Sequence, residues 1–221
     1  MTSNIESQRR PLHIPTIEEA RSILGGRLPS SIEDTVFTND GLVETPSGLR
    51  VPVYLASGLG FNAAGRYFLE KDVKPRMEEA GALVLDPFQQ CGEFLDPEIF
   101  DPKQTVESQR SRWQKFNQIV GIINYGLLIP RSLIMFAIME GYPTDEGVAA
   151  EVAYMASNFG QVIGVRTDLR LAENPATGTN PAVTYFMQRI YSGGMYFEGP
   201  SAYEDAYEFL NKCCSNIINT S

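Results

Sequence analysis

Short apolar runs alternate with amphipathic segments from Val51 onward. Apolar runs of four to eight residues between turn formers are typical of buried strands, and apolar residues spaced by three and four predict helices. Five strands are predicted, at Val51–Ala56, Ala82–Leu85, Leu133–Met139, Gln161–Val165 and Gly194–Phe197. Five helices are predicted between and after them, near Ala63–Ala80, Thr105–Leu128, Gly147–Asn158, Pro181–Tyr191 and Ala202–Ile217.

This alternation predicts an α/β fold in which a doubly wound, five-stranded parallel sheet lies between two layers of helices. Residues 1–47 contain turn formers, short polar runs and one weak helical pattern, so we interpret them as an N-terminal extension of a domain at 48–221. Ligands of such sheets bind outside the carboxyl ends of the strands. Residues that follow strands are therefore the first candidates for chemistry.

The composition excludes several classes of function. The 221 residues include 27 Asp and Glu against 18 Lys and Arg, which gives a net charge of −9. This surplus disfavours both nucleic acid, whose binding needs clustered cations, and an anionic membrane surface. The single histidine, His13, lies in a polar N-terminal stretch. We therefore expect no histidine-based catalytic triad, no metal site and no cofactor.

The cysteines and the apolar stretches bear on location. Cys91, Cys213 and Cys214 form no CxxC pair and leave an odd thiol, which favours a reducing, cytoplasmic compartment. The N-terminus lacks the apolar core of a signal peptide. The apolar stretch 119–139 is interrupted by polar residues and Pro130, which leaves pieces shorter than the ~20 residues of a membrane span.

A glycine-containing turn follows the first predicted strand. Gly58, Gly60 and Ala63 match the loose dinucleotide-binding pattern G-x-G-x-x-A, and Asp86 would occupy the ribose-binding position. Asp86 lies 26 residues beyond Gly60, however, where ~20 are usual, and alanine replaces the third glycine. A turn that needs small residues for backbone clearance is the better interpretation.

Two acids follow the third predicted strand with the spacing D-x-G-x-x-x-E. Asp145 precedes a predicted helix, and Glu151 lies inside it between alanine and valine neighbours. In a purely structural interpretation Asp145 caps the helix and Glu151 is solvated. The apolar neighbours of Glu151 instead indicate a functional acid at the carboxyl edge of the sheet. From its place at the helix start, Asp145 can turn back over the same cleft.

Charged residues also follow the fourth predicted strand, where Arg166 and Asp168 alternate with neutral residues. Two interpretations stay open. Arg166 can form an ion-pair network with Asp168 or Asp145 that fixes the cleft, or the segment is a solvated strand terminus.

Together these segments resemble the nucleoside 2-deoxyribosyltransferase family. The resemblance covers about residues 51–197, and D-x-G-x-x-x-E is its most specific element. Its motifs are Val53–Gly58, Asp145–Tyr154 and Val165–Arg170, followed by Asn180 and residues 185–194. The family implies a flavodoxin-like fold and the retaining exchange of a nucleobase on 2-deoxyribose, with a deoxynucleoside and a free nucleobase as partners.

The resemblance implies a role for each catalytic candidate. Glu151 would be the nucleophile that attacks the anomeric carbon and holds the covalent deoxyribosyl intermediate. Asp145 would exchange a proton with the nucleobase or orient it, and Tyr54 would hydrogen-bond to the nucleophile. A carboxylate can stabilise an oxocarbenium-like state and then capture it, so this chemistry requires neither histidine nor metal.

Substrate contacts follow from the same resemblance. Phe88 would stack on the nucleobase, and Gln89 or Gln90 would bind its polar edge, although core packing is an equal interpretation of Phe88. Gly58, together with Ser57 and the following helix start, would suit a phosphate cradle in a nucleotide-cleaving enzyme.

The sugar-facing position departs from the family, because an ungapped alignment from Asp145 places Tyr125 where an acid is usual. Asn124 and Asn117 are seven residues apart, hence on one face of a regular helix, and either is a substitute. Asn180 matches the asparagine by which a neighbouring subunit completes the family's site, so the resemblance implies a homo-oligomer.

Two alternatives to a transferase stay open. One is a hydrolase on the same scaffold that cleaves a nucleoside or nucleotide N-glycosidic bond with water as acceptor. The other is a catalytically silent nucleotide-binding module, which the absence of the usual sugar-facing acid favours.

Overall fold

The computed structural model describes residues 14–141, 144–168, 179–188 and 193–221, and these form a mixed α/β structure around one sheet. Within these ranges the strands are β1 (Val43–Thr45), β2 (Gly48–Ser57), β3 (Ala82–Leu85), β4 (Ile134–Ile138), β5 (Gln161–Arg166) and β6 (Met195–Glu198). The predicted mixed architecture, with mostly parallel strands flanked by helices, is confirmed.

The parallel strands are arranged in the order β3-β2-β4-β5-β6. β2 pairs with β3 on one side and with β4 on the other. The order in which successive strands are added to the sheet therefore reverses at β2, while the strands themselves stay parallel. β1 is different: it pairs antiparallel with the start of β2 through a hairpin in which Gly48 has a φ of 111°. The sequence did not predict β1, because three residues with one buried side chain give no apolar run.

Helices cover both faces of the sheet. Those in the described ranges are α1 (Ile17–Ile23), α2 (Ser30–Glu33), α3 (Ala63–Phe68, Leu69–Val73 and Lys74–Glu79), α4 (Pro87–Gly92), α5 (Val106–Gly121, Ile122–Leu128 and Ile129–Arg131), α6 (Glu146–Asn158), α7 (Pro181–Met187) and α8 (Ala202–Thr220). The middle segments of α3 and α5 are wide, π-type turns within otherwise regular helices. The last residues of the predicted helix Pro181–Tyr191 lie outside the described residues.

Helix α4 was absent from the predicted elements. It begins because the side chain of Asp86 accepts a hydrogen bond from the backbone N–H of Phe88 at 2.9 Å, and Pro87 occupies the first helical position. A short 3₁₀ turn, Pro97–Phe100, follows it before α5.

Side chains of the sheet alternate between two buried clusters, as the pleat requires. Val53 and Leu55 face the cluster that contains α3 and α8. Tyr54 and Ala56 face the other, which contains α1, α4, α5 and α6. Both faces of β2 are therefore covered, which explains its nearly continuous apolar run. The same alternation directs the Tyr54 side chain toward α6.

Part of the predicted extension belongs to the same core. Ala20, Leu24, Leu28 and Ile32 lie in the buried cluster with Tyr54. Burial of these four apolar side chains in the cluster anchors the segment by the hydrophobic effect. The boundary at residue 47 stays a prediction, but α1 and α2 pack against the sheet domain.

The longest apolar stretch of the chain is divided between two elements. Helix α5 ends at Arg131, and strand β4 begins at Ile134. Among the described residues, no helix has both the length and the apolar character needed to cross a membrane.

Candidate functional site

Three elements bring Tyr54, Asn124 and Glu151 together at the carboxyl-end half of the sheet. The hydroxyl of Tyr54 donates a hydrogen bond to Oε1 of Glu151 at 2.7 Å. The side-chain Nδ2 of Asn124 donates to the same oxygen at 3.2 Å. Tyr54 is fully buried, and Asn124 and Glu151 are 7% and 8% exposed. The sequence interpretation of Glu151 as a solvated helix residue is therefore wrong.

The two donors leave the second carboxylate oxygen of Glu151 available. Among the described residues, no group donates a hydrogen bond to Oε2, and Oε2 is not among the buried polar atoms that lack a partner. A carboxylate with one oxygen fixed, and the other without a donor among the described residues, is oriented for contact with a ligand. This arrangement is compatible with a carboxylate nucleophile.

The two asparagines of α5 differ in burial and in their contact with Glu151. Asn117 lies in the regular part of α5 and is exposed, whereas Asn124 lies in the wide turn and is buried. Of the two predicted substitutes for the sugar-facing acid, only Asn124 makes a hydrogen bond to Glu151 among the described residues. Asn124 contacts the acid itself.

Burial dominates the electrostatics of the site. Removal from water raises the pKa of Glu151 to about 7, against the hydrogen bond from Tyr54, which lowers it. The charge of Asp145 raises the pKa further, and the hydrogen bond from Asn124 lowers it. The pKa of Tyr54 is raised well above its usual value by burial and then by Glu151, so its hydroxyl remains a donor.

Asp145 caps α6, as the structural interpretation of the sequence expected. Its Oδ1 accepts a hydrogen bond from the backbone N–H of Val148 at 3.0 Å. The side chain is partly exposed, and its charge reaches Glu151. Asp145 therefore both stabilises the helix that carries Glu151 and lies near enough to alter its ionisation.

Gly58 allows Asp145 to approach the end of β2. A Cβ atom at Gly58 would lie 3.0 Å from Cβ of Asp145, which is too close for an ordinary contact. The turn after β2 thus needs a small residue because of a side chain from α6. The structure gives this packing reason for Gly58, while its predicted contact with substrate stays a prediction.

Phe88 packs on the turn after β2. A Cβ atom at Gly60 would lie 2.3 Å from the Phe88 ring, so the ring covers the glycine backbone. The rings of Phe88 and Phe61 meet edge to face with centroids 4.9 Å apart. Phe61 is 74% exposed and Phe88 is half-buried. The aromatic pair borders the same turn as Asp145, and Phe61 is a residue that the sequence analysis did not single out.

Gln89 contacts Lys74 rather than the Glu151 group. Its side-chain Oε1 accepts a hydrogen bond from Nζ of Lys74 at 3.3 Å, and Asp86 pairs with the same Nζ at 3.1 Å. Gln90 is buried, and its Oε1 accepts from the backbone N–H of Ser31 at 3.0 Å. Asp86 is thus a helix cap and ion-pair partner of Lys74.

Asn180 is exposed and caps α7 within its own chain. Its Oδ1 accepts a hydrogen bond from the backbone N–H of Ala182 at 2.9 Å. The predicted contribution of Asn180 to the site of a neighbouring subunit stays a prediction.

Arg166 is fully buried at the adjacent strand ends and connects them through hydrogen bonds. Its guanidinium donates to the carbonyls of Met139 at 2.6 Å and Gly141 at 3.0 Å. It also donates to the backbone carbonyl of Asp168 at 3.0 Å and lies 4.0 Å from a carboxylate oxygen of Glu198. The solvated interpretation of this strand terminus is therefore wrong for Arg166.

Cys91 and Tyr125, which the sequence did not mark as members of the site, also border it. The Cys91 thiol donates to Oδ1 of Asn124 at 3.5 Å. Tyr125 is half-buried, and its pKa is raised to about 12 by burial and then by the charge of Glu151. Both follow from tertiary packing: Cys91 lies on α4, which was not predicted, and Tyr125 lies in the wide turn of α5.

Among the described residues, no group of three or more His, Cys, Asp or Glu side chains is arranged to hold a metal ion.

Comparisons with known proteins give distant structural similarities. A scan against family models and a search of curated protein sequences find no match. A conserved protein from Enterococcus faecalis superimposes with a TM-score of 0.47 and 16% identity over 74% of this chain and 99% of its own. A 2-desoxiribosyltransferase from Leishmania mexicana superimposes with a TM-score of 0.40 and 13% identity over 73% of this chain and 97% of its own. At these TM-scores and identities, neither similarity establishes what this chain does.

Proposed function

We propose that the protein is a nucleoside 2-deoxyribosyltransferase that exchanges the nucleobase of a 2′-deoxynucleoside with retention. The observation that carries this proposal is the buried carboxylate of Glu151, whose Oε1 is held by Tyr54 and Asn124 while Oε2 has no donor among the described residues. Such a carboxylate suits nucleophilic attack on an anomeric carbon.

The first half-reaction forms a glycosyl ester. Oε2 of Glu151 bonds to the anomeric carbon as the bond from that carbon to the nucleobase nitrogen breaks, and the electron pair passes to the nucleobase. Asp145 lies on the same helix start and orients the departing base or exchanges a proton with it. The negative charge of Glu151 stabilises the oxocarbenium-like transition state before the bond is complete.

The second half-reaction restores the enzyme. The nitrogen of an incoming nucleobase attacks the anomeric carbon and gives up its proton to Asp145, and the ester bond to Glu151 breaks with return of the electron pair to the carboxylate. Two successive inversions give net retention. The role of Tyr54 and Asn124 is to hold Oε1 in place, so that the same oxygen, Oε2, reacts in both steps.

The remaining parts of the proposal concern substrate and assembly. Phe88, beside the exposed ring of Phe61, provides an aromatic surface for the nucleobase next to Asp145. Asn180 would complete the site of a neighbouring subunit in a cytoplasmic homo-oligomer. Its side-chain oxygen is engaged in capping α7, so its Nδ2 is the atom that would face such a partner.

The test supplies a 2′-deoxynucleoside with and without a second free nucleobase. With acceptor, a transferase yields the swapped nucleoside; a hydrolase yields free deoxyribose and base. Without acceptor, the intact mass of the protein increases by one deoxyribosyl group on Glu151. Proteolytic mapping of the adduct identifies the residue.

Glu151→Gln should abolish both the adduct and the exchange, because an amide does not form the ester. Glu146→Gln is the matched control, since Glu146 is an exposed acid at the start of the same helix. Binding of nucleoside without adduct, exchange or hydrolysis would favour the silent module instead.

A further inference from the structure

The carboxylate of Glu151 is held by a chain of buried side chains that extends to a third element. Asn124 donates to Glu151 through Nδ2, and the Oδ1 of the same amide accepts from the thiol of Cys91 at 3.5 Å. Cys91 is 7% exposed and lies on α4, and Asn124 lies on α5. The two atoms of one amide group therefore connect α4 to α6.

We propose that Cys91 is a positioning residue that orients the side-chain amide of Asn124 toward the carboxylate of Glu151. Its importance for turnover rests on the proposed function, whereas its effect on the ionisation of Glu151 does not.

The two ends of the Asn124 amide differ, because Nδ2 donates hydrogen bonds and Oδ1 accepts them. In the observed orientation Nδ2 faces an acceptor oxygen of Glu151 and Oδ1 faces a donor. Rotation by half a turn would place Oδ1 against Oε1 of Glu151, so that two acceptors face each other without a proton. A donor at Oδ1 therefore favours the orientation in which Asn124 stabilises the charged form of Glu151.

The thiol is suited to this role because it stays protonated. Burial, followed by the charges of Glu151 and Asp86, raises the pKa of Cys91 to about 12. A thiolate would accept a hydrogen bond from the amide and favour the opposite orientation. The same protonated state makes Cys91 a poor nucleophile.

The neighbouring segment holds Cys91 in position. Gln90 and Glu93 flank it along the chain, and both contact the N-terminal segment. Oε1 of Gln90 accepts from the backbone of Ser31, and the hydroxyl of Ser30 donates to Glu93 at 2.6 Å. Residues of the predicted extension thus fix the helix that carries the thiol, which gives that segment a connection to the site.

The titratable groups that interact with Glu151 come from four elements. Tyr54 from β2 and Asp145 at the start of α6 act on it, and Cys91 and Tyr125 feel its charge. Substitution of Cys91 removes or replaces the thiol contact with Asn124. Tyr54, Asp145 and Tyr125 remain in place and contribute equally to every titration that is compared.

The experiment titrates the side-chain carboxyl of Glu151 by ¹³C NMR in protein labelled at glutamate, with Glu151→Gln used to assign the resonance. Cys91→Ala should move the midpoint upward by about half a pH unit, because a weakened donor at Oε1 disfavours the charged form. Cys91→Ser keeps a donor of similar size and should restore the wild-type midpoint. Cys214→Ala is the matched control, since Cys214 is a buried cysteine in the other cluster.

A second measurement separates orientation from simple loss of volume. In an Asn124→Ala background, Cys91→Ala should have no further effect on the midpoint, because the amide through which the thiol acts is gone. An unchanged midpoint in Cys91→Ala, or an equal shift in Cys91→Ser, would overturn the proposal. So would a full shift in the Asn124→Ala background. The titration needs no substrate, so a protein that transfers no nucleobase still tests it.

Discussion

The buried carboxylate of Glu151 should destabilise the fold at neutral and alkaline pH. Its pKa is about 7 in the folded protein, above the ordinary value of 4.5, because burial disfavours the charge. The folded state therefore binds the proton of Glu151 more tightly than the unfolded state, and protonation favours folding. The stability associated with Glu151 is fully present below about pH 4.5 and is lost as the pH rises through about 7. The difference between the two pKa values corresponds to about 3 kcal/mol.

Glu151→Gln tests this reasoning because it keeps the shape and an acceptor oxygen for Tyr54 and Asn124 but carries no charge. The free energy of unfolding of the variant, minus that of the wild type, should increase by about 2 kcal/mol between pH 5.5 and 8.5. For a chain of this size that is an increase of about 4–8 °C in the difference between the two melting temperatures.

Urea unfolding at several pH values, followed by circular dichroism, measures the difference directly. Glu146→Gln is the control, because it removes an exposed carboxylate from the same helix. A Glu151→Gln difference that is the same at pH 5.5 and 8.5 would contradict the raised pKa of Glu151, and so would an equal change in Glu146→Gln. A more stable but inactive Glu151→Gln would indicate that this carboxylate is retained for chemistry at a cost to the fold.

Two further perturbations test the packing and the electrostatics of the site. Tyr54→Phe removes a hydrogen-bond donor that lowers the pKa of Glu151. The midpoint of the pH range over which kcat/KM for nucleobase exchange rises should therefore increase by about one pH unit. An unaltered pH profile would contradict the role of Tyr54. Gly60→Ala places a Cβ atom 2.3 Å from the Phe88 ring and should cost about 1–3 kcal/mol in urea unfolding. Gly92→Ala, at a helical glycine whose added Cβ meets nothing within 4 Å, should be neutral or stabilising, and equal costs at the two glycines would exclude the ring contact as the cause.

The sequence alone predicted the mixed α/β architecture, in which mostly parallel strands are flanked by helices. The apolar runs of β2, β4 and β5 are buried on both faces, so they are visible without knowledge of their neighbours. Asp145 and Glu151 were also accessible to sequence reasoning, because a strand end followed by an acid, a glycine and an apolar helix is a local pattern. Elements with little apolar signal, such as β1 and α4, were not predicted.

The contacts that give Glu151 its properties were decided by the tertiary structure. Sequence periodicity offered Asn117 and Asn124 equally, and in the structure Asn117 is exposed whereas Asn124 is buried against Glu151. The hydrogen bonds from Tyr54 and Asn124 join residues 97 and 27 positions from Glu151 along the chain.

A local pattern can identify which acid lies at a strand end, because propensity and hydrophobic periodicity act over a few residues. Whether that acid is buried, which of its oxygens is held and how far its pKa rises depend on distant side chains. Only the packing of β2, α4 and α5 around α6 brings those side chains within hydrogen-bonding distance.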